Sequence, residues 1–106
     1  MNEISVQELN RRLGDGEQLR LIDVREVDEY EYARIEGAEL IPLSEFLSRF
    51  EKELKPEDDL VIYCHHGMRS AQACMFLEGK GFSKTTNVIG GIDAWSLQVD
   101  PNVPRY

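Results

Sequence analysis

Cysteine is scarce in this chain: Cys64 and Cys74 are the only two in 106 residues. Two cysteines cannot build a disulfide framework. Their spacing matches no zinc pattern, and only the adjacent His65 and His66 stand near Cys64 as further ligands, so no metal is expected. A reducing compartment, the cytoplasm, is the expected setting. Long apolar runs are missing too, and nothing approaches the roughly 20 residues of a membrane span. Met1-Asn2-Glu3-Ile4 shows neither a basic n-region nor an apolar h-region, so no secretory signal is expected. Positive charge is short: 12 Lys and Arg stand against 20 Asp and Glu, a net charge of −8. That balance argues against nucleic acid and against anionic membrane surfaces as partners. There are no repeats and no low-complexity linker, and the length suits one domain with a single core.

What the chain does have is concentrated in Cys64-His65-His66-Gly67-Met68-Arg69-Ser70. An apolar run, Leu60-Val61-Ile62-Tyr63, precedes it and reads as a buried strand bounded by Asp58-Asp59. A helical pattern follows, with Ala71, Cys74, Met75 and Glu78 on one side and Ala73, Phe76, Leu77 and Lys80 on an adjoining one. Gly79 and Gly81 mark its stop. Cys64 therefore sits at a strand tip, with a short loop leading into a helix N-terminus. Backbone N–H groups there carry partial positive charge, bind anions and favour thiolate over thiol. The blander reading of Cys64 is a buried strand-end cysteine. His65, His66, Gly67 and Arg69 are poor core residues clustered where the strand ends, and they favour a nucleophile. Its thiol is expected to titrate below the free value of about 8.5.

The rest of the chain alternates. Ser5-Val6-Gln7-Glu8 is a capping-box pattern, with Val6, Leu9 and Leu13 at helical spacing and Gly14-Asp15-Gly16 as the stop. Leu19 to Val24 reads as a strand. Glu26 to Ala33 reads as a short acidic helical turn anchored by Tyr30. Glu39-Leu40-Ile41 is a short strand stopped by Pro42. Ser44 is expected to cap a helix with apolar positions Phe46, Leu47, Phe50 and Leu54. A strand near Thr85 to Ile89 precedes Gly90-Gly91 and a last turn, Ile92 to Leu97, with Trp95 in the core. Val99 to Pro104 reads as irregular. Charge is uneven: residues 1–60 hold 17 acids and 8 bases, and residues 61–106 hold 3 acids and 4 bases. The Cys64 loop thus belongs to the non-acidic part of the chain.

Strands alternating with helices predict βαβ units, a parallel central sheet and helices on both faces. Ligands bind such sheets outside the carboxyl ends of the strands, where Cys64 falls. The strand ends near Val24 and Ile89 face the same rim. That makes Asp23, Arg25 and Gly90-Gly91 candidate pocket neighbours.

Over nearly its whole length the chain resembles a single-domain rhodanese, the thiosulfate sulfurtransferase family. Leu21-Ile22-Asp23-Val24-Arg25-Glu26 with Glu29-Tyr30 is similar to the family's first strand and turn. Ile35, Gly37-Ala38 and Ile41-Pro42-Leu43 are similar to its second. Cys64 to Ser70 resembles the active-site loop, and Gly90-Gly91-Ile92 with Trp95 the C-terminal turn. The resemblance implies a rhodanese-like domain over residues 1–98, a C-terminal tail over 99–106, and a persulfide carried on Cys64 without a cofactor. One position departs: Arg34 stands where the family usually has histidine, which puts the local hydrogen bonds there in question.

From Cys64 to Arg69 the pattern is Cys-x4-Arg, a loop sized for sulfur. Cysteine phosphatases use Cys-x5-Arg to encircle phosphate. The implied reaction is attack of Cys64 on the outer sulfur of thiosulfate or a persulfide donor, then delivery to a thiol or cyanide acceptor. His65, His66, Gly67, Met68, Arg69 and Ser70 are the expected substrate-binding residues. Arg69 suits an incoming oxyanion, the histidines add charge or hydrogen bonds near pH 7, and Ser70 is a helix cap or first-turn donor. Asp23 and Arg25 are expected to brace the loop as an ion pair. Cys74 is expected to be core rather than a resolving thiol. The alternatives are a non-catalytic binding module, a phosphatase or arsenate reductase, and a protein-to-protein persulfide relay.

Overall fold

Four residues that are apolar on both sides of a strand form the centre of the molecule. In the computed structural model, which describes residues 1–106, β4 spans Leu60–Tyr63 and is fully buried. Side chains alternate across a sheet. Leu60 and Ile62 therefore enter one core and Val61 and Tyr63 the other. Such continuous apolar runs mark a parallel sheet covered on both faces. Each such side chain stabilises the fold by about 1.5–3 kcal/mol on burial.

The other strands are β1 (Asn2–Ile4), β2 (Arg20–Asp23), β3 (Glu39–Leu40) and β5 (Thr85–Val88). They form one sheet in the order β1-β5-β4-β2-β3. All pairings are parallel, with Ile22 opposite Ile62 and Ile62 opposite Asn87. The helices are α1 (Val6–Gly14), α2 (Val27–Tyr32), α3 (Phe46–Glu53), α4 (Met68–Gly79) and α5 (Gly91–Gln98). Phe46 and Phe50 of α3 and Ala73, Cys74 and Leu77 of α4 fill one core. Val6 and Leu9 of α1 and Ile92 and Trp95 of α5 fill the other. This is the expected single α/β domain with a parallel sheet and helices on both faces. No helix is long and apolar enough to cross a membrane.

Three local expectations need correction. Ser44 does not cap a helix. It lies inside a 3₁₀ turn, Leu43–Glu45, and its hydroxyl donates to Glu26 Oε1 at 2.6 Å. Leu47, taken as an apolar position of its helix, is 73% exposed, and Met75, grouped on one side of its helix with Cys74, is 63% exposed. Each helix offers only one stripe to the sheet, and these two fall beside it. β1 gave no signal in the sequence: it is a three-residue edge strand whose only buried side chain is Ile4. The capping box at α1 forms in half. Ser5 Oγ accepts from Glu8 N at 3.1 Å, while the Glu8 carboxylate turns to Arg11. A complete capping box holds α2 instead, between Glu26 and Glu29.

The parallel arrangement puts the carboxyl ends of β2, β4 and β5 on one rim. Asp23, Cys64 and the β5–α5 turn meet there. Residues 99–106 form no helix or strand, but Val99 and Val103 pack on the second core, which carries the end of the segment across that rim.

Candidate active site

β4 ends at Tyr63 and α4 begins at Met68, so four residues turn the chain. Gly67 makes the turn possible with φ +111°, a left-handed conformation that side chains disfavour. The loop is held from outside by α5. Ile92 N donates to Cys64 O at 2.9 Å, and Asp93 N donates to His65 O at 3.2 Å. The first N–H groups of a helix lack internal partners, and here the loop carbonyls satisfy two of them. With the carbonyls drawn outward, the loop amides face the sulfur. Gly91 allows this approach: a Cβ there would lie 2.4 Å from both carbonyl oxygens.

Inside the loop, Cys64 Sγ receives the Gly67 N–H at 3.1 Å and lies 3.3 Å from Ser70 Oγ. Ser70 is in the first turn of α4, fully buried, and is not its cap; Gly67 holds that position. Asn87, from β5, completes the support. Its Nδ2 donates to Gly67 O at 3.1 Å, which aims Oδ1 at the Ser70 hydroxyl, 2.5 Å away. A serine hydroxyl has one hydrogen and two acceptors here, Asn87 Oδ1 and Cys64 Sγ. Burial is the largest influence on the Cys64 thiol and pushes it up. The Ser70 hydroxyl and the backbone N–H groups of Ser70, Gly67 and His66 together outweigh burial, so Cys64 titrates below an ordinary thiol. Cys74 has no such partners, and burial pushes it up to about 12.

The ion pair beneath the rim is Asp23–Arg25, with both side chains fully buried and an N–O distance of 2.6 Å. Arg25 also donates to Ala33 O at 2.6 Å and to the Tyr106 hydroxyl at 2.9 Å. Its guanidinium lies 5.6 Å from the centre of the Tyr63 ring. The pair thus joins β2, the end of α2, the residue before Cys64 and the C-terminal segment. Arg34, in the family's histidine position, donates to Tyr30 O at 3.1 Å and covers the Tyr30 ring at 4.6 Å. It occupies an otherwise open carbonyl at the end of α2.

The charge tally by halves of the chain misses what folding brings together. α2, from the acidic half, carries Glu29 to the loop, where it takes Arg69 in a two-pronged pair at 2.7 and 3.0 Å. Arg69 first, then the Glu26 backbone and the Tyr106 hydroxyl, overcome burial and hold the Glu29 carboxyl at about 2. Tyr106 Oη donates to Glu29 Oε2 at 2.8 Å, and its ring stacks on His65 at 3.9 Å and 6°. His65 Nε2 is buried without a partner. Burial, then neighbouring His66, lower its pKa, which favours the neutral ring. His66 is largely exposed, 3.9 Å from Asp93. His65, His66 and Asp93 bring ligand atoms within 4.8 Å of one another, but Asp93 already holds Arg105 at 2.9 Å. Met68 is 77% exposed. It flanks an open groove of about 320 Å³ with His66, Gly67, Asn87 and Ile89. A larger hollow, 570 Å³, lies near the start of β2, lined by Arg20, Asp58 and Lys84 among others, away from the thiol.

Asn87, Glu29 as the partner of Arg69, and Tyr106 escaped the sequence reading. A signal existed only for Asn87: asparagine is a poor strand former, and inside Thr85–Val88 it asks for a reason.

A five-stranded parallel α/β domain with an amide-lined thiol at its strand tips is the class of protein that the fold and this loop define. The rhodanese-like domain family matches residues 5–98, and the chain belongs to that family. It is 38% identical over 96 residues to a sulfurtransferase of Allochromatium vinosum, covering 91% of this chain and 89% of that protein. It is 39% identical over 94 residues to the putative sulfur carrier protein YrkF of Bacillus subtilis, covering 89% of this chain and 50% of YrkF. The chain spans half the length, or less, of several of the curated relatives it matches. Among solved structures, a rhodanese-like domain protein from Staphylococcus aureus superposes with a TM-score of 0.85 at 28% identity, covering 100% of this chain and 99% of that one.

Proposed function

We propose that this domain is a sulfurtransferase that carries sulfane sulfur as a persulfide on Cys64, in a reducing compartment such as the cytoplasm. The observation that supports it most is the Cys64 sulfur itself. It is held 3.1 Å from the Gly67 amide and 3.3 Å from Ser70, at the rim where parallel sheets bind ligands. The thiolate attacks the outer sulfur of the donor. A new S–S bond forms, and the donor's S–S bond breaks. The leaving group, sulfite from thiosulfate or a thiolate from a persulfide, departs with the bonding electrons. The loop amides that stabilise the thiolate then face the terminal sulfur of the persulfide. A thiol or cyanide acceptor takes that sulfur in the second half-reaction and restores Cys64. His65, His66, Gly67, Met68, Arg69 and Ser70 form the walls of the reaction space, and Asp23 with Arg25 braces them. Cys-x4-Arg closes too small a ring for phosphate, so phosphatase and arsenate-reductase chemistry are disfavoured.

A second reading, a relay that takes sulfur from one protein and hands it to another, draws on the likeness to a protein named as a putative sulfur carrier. Intact mass after incubation with thiosulfate or with a persulfide tests both readings. One added sulfur atom is expected, located on Cys64, absent in Cys64→Ser and retained in Cys74→Ser. Sulfur mapped to Cys74, or none from either donor, would overturn the proposal.

A further inference from the structure

Every fixed cation around the Cys64 loop has its own carboxylate. Arg69 is held two-pronged by Glu29, Arg25 by Asp23, and Arg105 by Asp93. No lysine lies in the loop or in the turn after β5. The rim is therefore close to neutral before the Cys64 thiolate adds its own charge. Resting on the sulfurtransferase reading above, we propose that Glu29 is a specificity-determining residue. By neutralising Arg69 it selects donors that bring little negative charge, persulfides of thiols, over the thiosulfate dianion.

The geometry makes the neutralisation durable. Glu29 is the third residue of α2 and its carboxylate also accepts from Glu26 N at 3.1 Å, so the helix start fixes its direction. Tyr106 holds the other carboxylate oxygen at 2.8 Å. The Glu29 side chain is only 17% exposed, which limits screening by water and salt. A thiosulfate ion reaching Cys64 would bring two charges to a thiolate and would have to draw Arg69 from this clasp. A protonated persulfide, R–S–S–H, brings none. The Cys64 thiolate bonds to its outer sulfur, which keeps its proton. The original S–S bond breaks, and R–S⁻ leaves with the electron pair.

Glu29→Gln tests this, because glutamine keeps the shape and the bond to Glu26 N while removing the charge. Steady-state kinetics with thiosulfate and with the persulfide of a small thiol are compared. The variant's KM for thiosulfate is expected to fall about tenfold with kcat within about twofold, while the persulfide KM moves less than about twofold. The thiosulfate KM of the variant should rise with added salt more steeply than that of the wild type. The double variant Glu29→Gln/Arg69→Gln should lose the gain, since the unmasked charge is Arg69. A folded Glu29→Gln protein with an unchanged or raised thiosulfate KM would overturn the proposal. A gain that survives in the double variant would do the same. If Glu29→Gln melts far below the wild type, Glu29→Asp, whose shorter side chain loosens the two-pronged hold on Arg69, must shift the thiosulfate KM in the same direction or the proposal fails. If both donors load Cys64 and no variant alters their ratio, only this inference falls. If neither donor loads Cys64, the sulfurtransferase reading falls and takes this one with it.

Discussion

Ser70 has one proton to offer and two neighbours that want it. In the resting thiol the short contact to Asn87 Oδ1 competes with the sulfur. When Cys64 ionises, the thiolate is the stronger acceptor, and the hydroxyl can turn to it by giving up its bond to Asn87 Oδ1. Removing that donor should be visible in titration. Ser70→Ala is expected to move the inflection of Cys64 alkylation against pH upward, because burial, which disfavours the thiolate, then has less opposing it. An unchanged inflection in Ser70→Ala would remove the hydroxyl from the account. Cys74 supplies the internal control. Pushed up to about 12 and fully buried, it should resist alkylation in the native protein and react only on unfolding. Cys64 was legible in the sequence because histidines, glycine and arginine at a strand end make no sense as core. Glu29 and Tyr106 were not. They reach the site across separations of 40 and 77 residues, and no local pattern encodes which distant side chain closes a salt bridge.

Among the elements, α5 bears on the site most directly, although it contributes no reacting atom. Its first amides hold the carbonyls of Cys64 and His65, and Gly91 leaves them room. Gly91→Ala would force a methyl against two carbonyl oxygens at a residue with φ +58°. A loss of about 2–4 kcal/mol in urea unfolding is expected, together with slower alkylation of Cys64. Gly67→Ala is the contrast. Its Cβ would meet nothing closer than 3.5 Å, so only the left-handed backbone is penalised, by about 1–2 kcal/mol. Equal losses for the two would mean that the approach of α5 to the loop is not tight. The elements were mostly legible because buried strands are runs of apolar residues and helices repeat their apolar stripe. Ser44 misled because a serine before an apolar pattern has the same composition whether it caps a helix or sits in a 3₁₀ turn. β1 was hidden because an edge strand with one buried side chain carries almost no pattern.

At the scale of the whole molecule, acid should act through Glu29. Its folded pKa, about 2, lies below the unfolded value of about 4.3. The stability it contributes is therefore complete above the unfolded value and is lost as pH falls towards 2. Arg69 is about one-third exposed, so the contribution is discounted to on the order of 1–2 kcal/mol. Urea unfolding at pH 7 and pH 3 should show a smaller acid loss in Glu29→Gln than in the wild type. An identical loss would place the acid sensitivity elsewhere. The order of strands in the sheet has a consequence in time. β5 lies between β1 and β4, and it brings Asn87 and, just after it, the amides of α5. A chain being synthesised carries Cys64 before any of these exist. Until the late strand enters the sheet, the loop lacks Asn87 and the α5 amides that hold its carbonyls. The thiol therefore gains its oriented, amide-lined surroundings in the same event that completes folding.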